Sequence, residues 1–278
     1  MDAFDLTGRV VIVTGGSRGL GRAMGWGLLA QGAKVVLAGQ DNARITKTAS
    51  EAEAEFGPDS FGKPRVLGRR CDVRSQKDCD GLVQTTLDVF GKIDVLVNNA
   101  ALGQRYVGDS PNSVSTKFWE ADPERWRDAI DVNVTGGFYM ARAVAPHMLA
   151  QAWGRIVNVT TSLGTMQRKL NSPYGVTKSA MEAATLIWAQ ELEGTGVTVN
   201  SLIPGSAART DMVFNANGPL LEPEVMVPPI LWLASNLSDG LTGGRYVAKL
   251  WDASLAPTDA AIKAREAPVL REPPADRR

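Results

Sequence analysis

Short apolar and β-branched runs recur along this chain with room for one helix between most neighbours. That rhythm constrains the fold more than any other feature. The runs are Val10 to Val13, Lys34 to Ala38, Arg65 to Cys71, Ile93 to Val97, Arg155 to Val159, Val197 to Ile203 and Arg245 to Ala248. Strands apolar on both faces are covered on both faces, the habit of parallel sheets. Helical patterns fill the gaps: Leu20 to Gln31, Asp41 to Phe56, Ser75 to Phe90, a stretch from Pro123, Ser172 to Leu192 and a short one near 222–235. Ser75 reads as an N-cap, and Asp122 caps a helix whose first residue is Pro123. Right-handed crossovers between such strands predict a doubly wound, mostly parallel α/β sheet with helices on both faces.

In this Rossmann-type arrangement ligands bind beyond the carboxyl ends of the strands, so residues just after each strand are the candidates for chemistry. Residues 1–250 are expected to form one domain. The tail, 251–278, is expected to add no core element, because four of the fifteen prolines and many charges lie between Ala256 and Arg278.

Composition narrows the function by exclusion. Thirty basic residues balance thirty acidic ones, so no global field draws the chain to nucleic acid or to an anionic membrane. Two cysteines, Cys71 and Cys79, are too few for a disulfide framework, and one histidine, His147, is a poor start for a zinc site. No metal is expected. The opening residues lack a signal-peptide core, and no apolar run approaches the ~18 residues of a membrane span. A soluble cytoplasmic protein is expected.

Three sites carry chemistry. Thr14-Gly15-Gly16-Ser17-Arg18-Gly19-Leu20-Gly21 lies at the first strand-to-helix turn. A pyrophosphate there needs close backbone N–H groups, and glycine removes the side chains that would block it. Asn98-Asn99-Ala100-Ala101 ends the fourth strand, beside the same crevice. Tyr174 and Lys178 are four apart on a helix and share a face. An ammonium near a phenol favours the phenolate, which suits a proton carrier. Thr160-Thr161-Ser162 adds hydroxyls at the end of another strand.

Together these residues resemble the single-domain branch of the short-chain dehydrogenase/reductase family, from residue 5 to about 248. TGxxxGxG is matched by Thr14 to Gly21, YxxxK by Tyr174 and Lys178, and NNAG with Ala101 in place of the glycine. Asn133, Asp72 and the Pro204-Gly205 to Thr210 segment match further family positions. The resemblance implies hydride transfer between a nicotinamide dinucleotide and a carbonyl or secondary alcohol. Tyr174 would be the general acid/base, Lys178 would hold the ribose and tune the tyrosine, and Asn133 would order a relay water. Gly15, Ser17, Arg18, Gly19, Leu20, Gly21, Gln40, Asp72, Val73, Asn99, Ala100, Tyr174, Lys178, Pro204, Gly205 and Thr210 would contact the cofactor. The family's habit also implies a homodimer or homotetramer.

Four departures leave choices open. The substrate-orienting serine position holds Thr161, with Ser162 next to it, and either hydroxyl would serve. The second strand ends in Gly39-Gln40, with Asp41 late, while Arg18 suits a 2′-phosphate. NADP is therefore favoured, with NAD left open. The long 101–122 loop is expected to wall the substrate pocket, and the lid from Ser206 to Pro223 is short. The DGG ending common after the last strand is missing. A catalytically silent NADP-binding sensor or scaffold is the alternative, resting on Thr161 and Ala101. An epimerase or dehydratase would need a substrate domain that the chain lacks.

Overall fold

A computed structural model describes residues 4–106, 116–212 and 219–269. Seven parallel strands alternate with helices. They are β1 (Val10–Thr14), β2 (Lys34–Gly39), β3 (Val66–Arg70), β4 (Val95–Asn98), β5 (Gly154–Val159), β6 (Val197–Ile203) and β7 (Arg245–Val247). An antiparallel β8 (Arg265–Glu266) closes the sheet, whose order is β3-β2-β1-β4-β5-β6-β7-β8. The order reverses between β1 and β4, so the crevice opens beyond Thr14 and Asn98.

Alternation along each strand feeds two cores. Val11 and Val13 of β1 pack with α1 (Gly19–Ala30), α2 (Asn42–Phe56) and α8 (Val227–Ala234). Ile12 points the other way, to α3 (Gln76–Phe90), α5 (Gly136–Ala150) and α7 (Tyr174–Glu191). Period-2 side-chain direction explains why nearly every strand residue is apolar.

Among the described residues, three of the longer helices begin on side-chain caps. Asp41 caps α2, Ser75 caps α3, and Asp122 caps α4 (Pro123–Ile130), with Pro123 at its start. Between α4 and α5 the chain widens into one π-turn, Asp131–Thr135. A short α6 (Leu163–Met166) precedes α7.

The tail corrects the sequence expectation. Residues Pro257–Ala264 form α9, with Ala260, Ala261 and Ala264 buried, and Ala261 belongs to the first core. Alanines at that spacing make a flat helical face that packs without long side chains. β8 then pairs with β7 through Arg245 and Glu266. The chain beyond 250 therefore supplies core and the last strand, although its composition reads as tail. Among the described residues no helix is long and apolar enough to cross a membrane.

Candidate active site at the carboxyl end of the sheet

The glycine turn is shaped by geometry that a side chain would forbid. Gly15 and Gly19 adopt φ of +64° and +53°, and a Cβ on Gly21 would lie 2.3 Å from the Gly15 carbonyl oxygen. Asn99 pins the turn: its Nδ2 donates to the carbonyls of Thr14 (2.8 Å) and Gly15 (3.2 Å). The Thr14 hydroxyl accepts from the Asn99 and Ala100 amides at 3.0 and 3.1 Å. The glycine turn and the end of β4 are thus one unit.

Unlike α2, α3 and α4, α1 has no side-chain cap and no acidic residue in its first turn. Its leading N–H groups face the crevice without a carboxylate or hydroxyl of their own, the arrangement that suits a diphosphate. Thr210 lies over the turn, with its Cγ2 3.0 Å from where a Gly19 Cβ would sit. Leu20 packs against the first core, and the Ser17 carbonyl accepts from Thr48 at 3.2 Å. Gly205, at φ +92°, lets the chain after β6 pass close to Val247 and Lys249.

The groups that bear on cofactor choice are already engaged. Asp41 accepts from the Arg44 amide at 3.0 Å and pairs with the Arg44 side chain at 3.7 Å. Its carboxylate is committed to α2. Arg18 is exposed and pairs with Asp211, the residue after Thr210, at 2.5 Å. Gln40 donates to Asp72 at 3.0 Å, which brings two expected cofactor contacts together. Asp72 is also bound by Arg74, which holds its carboxyl below the ordinary range. Arg74 continues to Asp128 (2.8 Å), and Asp128 accepts from the Tyr106 hydroxyl at 2.5 Å.

The catalytic candidates converge. Thr14, Val73, Asn98, Ala100, Asn133, Val159 and Lys178 line one cavity. Lys178 is 4% exposed, donates to the Val159 carbonyl at 2.8 Å, and sits 5.8 Å from the centre of the Tyr174 ring. Burial pushes the Lys178 ammonium down to about 8, with Glu182 opposing. Tyr174 keeps part of its surface in the cleft, yet the protein packed around its phenol pushes it up to about 12. The Thr161 hydroxyl lies close enough to that phenol to pull the other way.

Two hydroxyls that the sequence left equivalent are separated by the structure. Ser162 caps α6, accepting from the Thr165 amide at 3.3 Å and meeting the Thr165 hydroxyl at 2.9 Å. Thr161 is the one at Tyr174. Asn133, carried by the π-turn, accepts from the Leu102 amide (2.7 Å) and donates to the Leu102 carbonyl (2.9 Å) and the Thr177 hydroxyl (3.0 Å). Both amide hydrogens are spent, so its side chain ties the segment after β4 to α7.

Sequence reasoning missed Gln104, which donates to the Ser172 carbonyl at 2.8 Å and accepts from the Tyr174 amide at 3.3 Å. Nothing in its local sequence marks it. It also missed Glu182, one turn beyond Lys178, which the i, i+4 spacing would have found. The expected wall at 101–122 and the lid at 206–223 lie partly outside the described residues.

Comparison with known proteins identifies the family. The family described as short chain dehydrogenase matches residues 9–219. A 3-oxoacyl-[acyl-carrier-protein] reductase of Synechocystis is 35% identical over 218 residues, 78% of this chain and 81% of that protein. A short-chain type dehydrogenase/reductase of Picea abies is 33% identical, over 75% of this chain and 74% of its own length. Among solved structures, a 3-ketoacyl-(acyl-carrier-protein) reductase of Brucella melitensis complexed with NADH superposes with a TM-score of 0.76 at 28% identity. It covers 87% of this chain and 96% of that one. A short chain dehydrogenase of Shigella flexneri complexed with NADP gives 0.76 at 27% identity, covering 88% and 98%. The chain belongs to the short-chain dehydrogenase/reductase family.

Proposed function

We propose that this protein is an oxidoreductase that interconverts a carbonyl and a secondary alcohol, with NADP preferred over NAD and Tyr174 as general acid/base. The observation that carries this reading is the meeting of the Tyr174 phenol, the Thr161 hydroxyl and buried Lys178 at the crevice that also holds the uncapped start of α1. The glycine turn, Asn99 and Thr210 fit a nicotinamide dinucleotide, which when bound supplies or accepts the hydride. Arg18, at the turn, is the cation for a 2′-phosphate, while Asp41 is tied to Arg44 and α2.

Tyr174 holds the proton that the substrate oxygen gains or loses. Thr161 orients that oxygen and shares the phenol's hydrogen bond. Lys178 is the buried cation whose approach to the phenol on loading favours the phenolate, since opposite charge within ~4–6 Å stabilises it. Asn133 anchors the loop that faces them. Thr161 keeps a hydroxyl where the family carries serine, so the silent-scaffold alternative loses its main support.

Exposed Phe138 and Leu149 on α5, with Val176 and Ile187 on α7, support assembly into dimers or tetramers through those helices. The test of function is NADPH and NADH oxidation against a panel of ketones, aldehydes and quinones. Turnover with NADPH favoured over NADH, narrowed at least tenfold by Arg18→Ala, is expected. Cofactor binding without turnover on any substrate would return the reading to a silent scaffold.

A further inference from the structure

A buried charge network lies directly behind the candidate site, and the proton carriers do not account for it. Glu182, one turn beyond Lys178 on α7, is 3% exposed. Its Oε1 accepts from the Thr160 hydroxyl at 2.5 Å and from Arg245 Nε at 3.3 Å, and its Oε2 accepts from the Ser201 hydroxyl at 3.2 Å. Arg245 opens β7 and is also 3% exposed. Its three nitrogens serve three elements: Nε meets Glu182 on α7, Nη2 donates to the Thr161 main-chain carbonyl at 2.9 Å, and Nη1 donates to Glu266 on β8.

Removing a carboxylate and a guanidinium from water costs several kcal/mol each, so such a pair is weak evidence for stability. What it does supply here is geometry. The chain leaves β5 through Thr160 and Thr161. Glu182 holds the first by its side chain and Arg245 holds the second by its backbone. The residue whose hydroxyl meets Tyr174 is therefore gripped from both sides. A planar guanidinium can satisfy three acceptors in fixed directions, which a lysine ammonium on a flexible stem cannot reproduce.

We propose that Arg245 and Glu182 are positioning residues that hold the Thr161 hydroxyl at Tyr174, with Glu266 of β8 completing the clamp. This makes the segment after residue 250 part of the active-site architecture. It rests on the reading that Thr161 and Tyr174 act on the substrate.

The test compares Arg245→Lys, Glu266→Gln and the double variant Glu182→Gln/Arg245→Met with the parent and with Tyr174→Phe. For each, kcat and KM for the best ketone of the panel are measured, with the Kd for NADPH from fluorescence and the thermal midpoint. Arg245→Lys is expected to lower kcat roughly ten- to a hundredfold, the order a small displacement of a reacting group costs. KM should change less than threefold and the NADPH Kd less than twofold. The double variant removes both members of the buried Glu182–Arg245 pair together and decides the matter if Arg245→Lys does not fold; it should lose kcat at least as strongly. Glu266, half-exposed, should lose less as glutamine and decides if neither other variant folds. A kcat within twofold of the parent in the deciding variant, whatever its thermal midpoint, overturns the clamp. Full turnover by Tyr174→Phe would instead overturn the underlying reading.

Discussion

The two ends of the sheet are both polar, and they spend their polarity differently. At the amino end, Asp94 is 3% exposed and accepts from the Val10 amide (2.7 Å), Lys92 (2.9 Å) and Arg9 (3.4 Å). The Trp153 ring lies between the guanidinium groups of Arg9 and Arg155, at 3.6 and 4.0 Å. Arg155 in turn pairs with Asp239, and Arg9 donates to Asn236 at 2.6 Å. These ion pairs and stacked cations close the end, with the Arg155 Nε and Trp153 Nε1 left without a hydrogen-bond partner among the described residues. At the carboxyl end, the Tyr174 phenol, the start of α1 and Arg18 lie at a crevice: Arg18 meets Asp211 beside it, while Glu182 and Arg245 pair behind it. A polar strand end is thus a site where its groups point outward from a rigid backing, and a seam where they consume each other.

Substitutions separate the two behaviours. Tyr174→Phe should reduce kcat about a thousandfold, the contribution of a positioned proton carrier, with the unfolding midpoint unchanged within a degree or two. Steady-state kinetics beside thermal melting measures both. Asp94→Ala should do the reverse. It leaves a buried Val10 amide without an acceptor and should cost about 2 kcal/mol of stability. Its kcat per folded molecule should match the parent, and a urea titration combined with active-site counting would show it. A strong kcat loss would erase the contrast between the ends.

Smaller effects sharpen the picture within the site. Ser162→Ala should cost about 1 kcal/mol, the loss of an N-cap, with kcat nearly intact, whereas Thr161→Val should abolish most turnover. The opposite pairing would move the orienting hydroxyl to Ser162. The last effect is on pH. Lys178 is depressed to about 8 when folded, below its ordinary 10.5. Between those values the unfolded chain holds the extra proton, so stability rises with pH from 8 to 10. Tyr174, raised to about 12, acts in the opposite sense only above 10. Urea midpoints at pH 7, 8, 9 and 10 should climb in the parent and lose that climb in Lys178→Met.

Much of this was legible before any coordinates. Apolar runs announced the parallel sheet because a strand covered on both faces has no polar face to show. Ser75, Asp122 and Pro123 announced helix starts because capping is local chemistry. The glycine turn and the Tyr174–Lys178 pair were visible because their geometry spans a few residues. The tail was misjudged because composition does not reveal that Ala260, Ala261 and Ala264 share one face against α8 and β7.

Sequence alone therefore determined the fold class, the crevice and the close spacing of Tyr174 and Lys178, since each depends on periodicity or short spacing. Only the tertiary structure set Ser162 on the start of α6 and Thr161 beside Tyr174, because one residue of register turns a hydroxyl from a helix cap to the tyrosine. It also set the Asp41 carboxylate on the start of α2 and spent the Asn133 amide on Leu102 and Thr177. Above all, it brought Glu182, Arg245 and Glu266 together behind Thr161. Those residues lie far apart along the chain, and only packing makes neighbours of them.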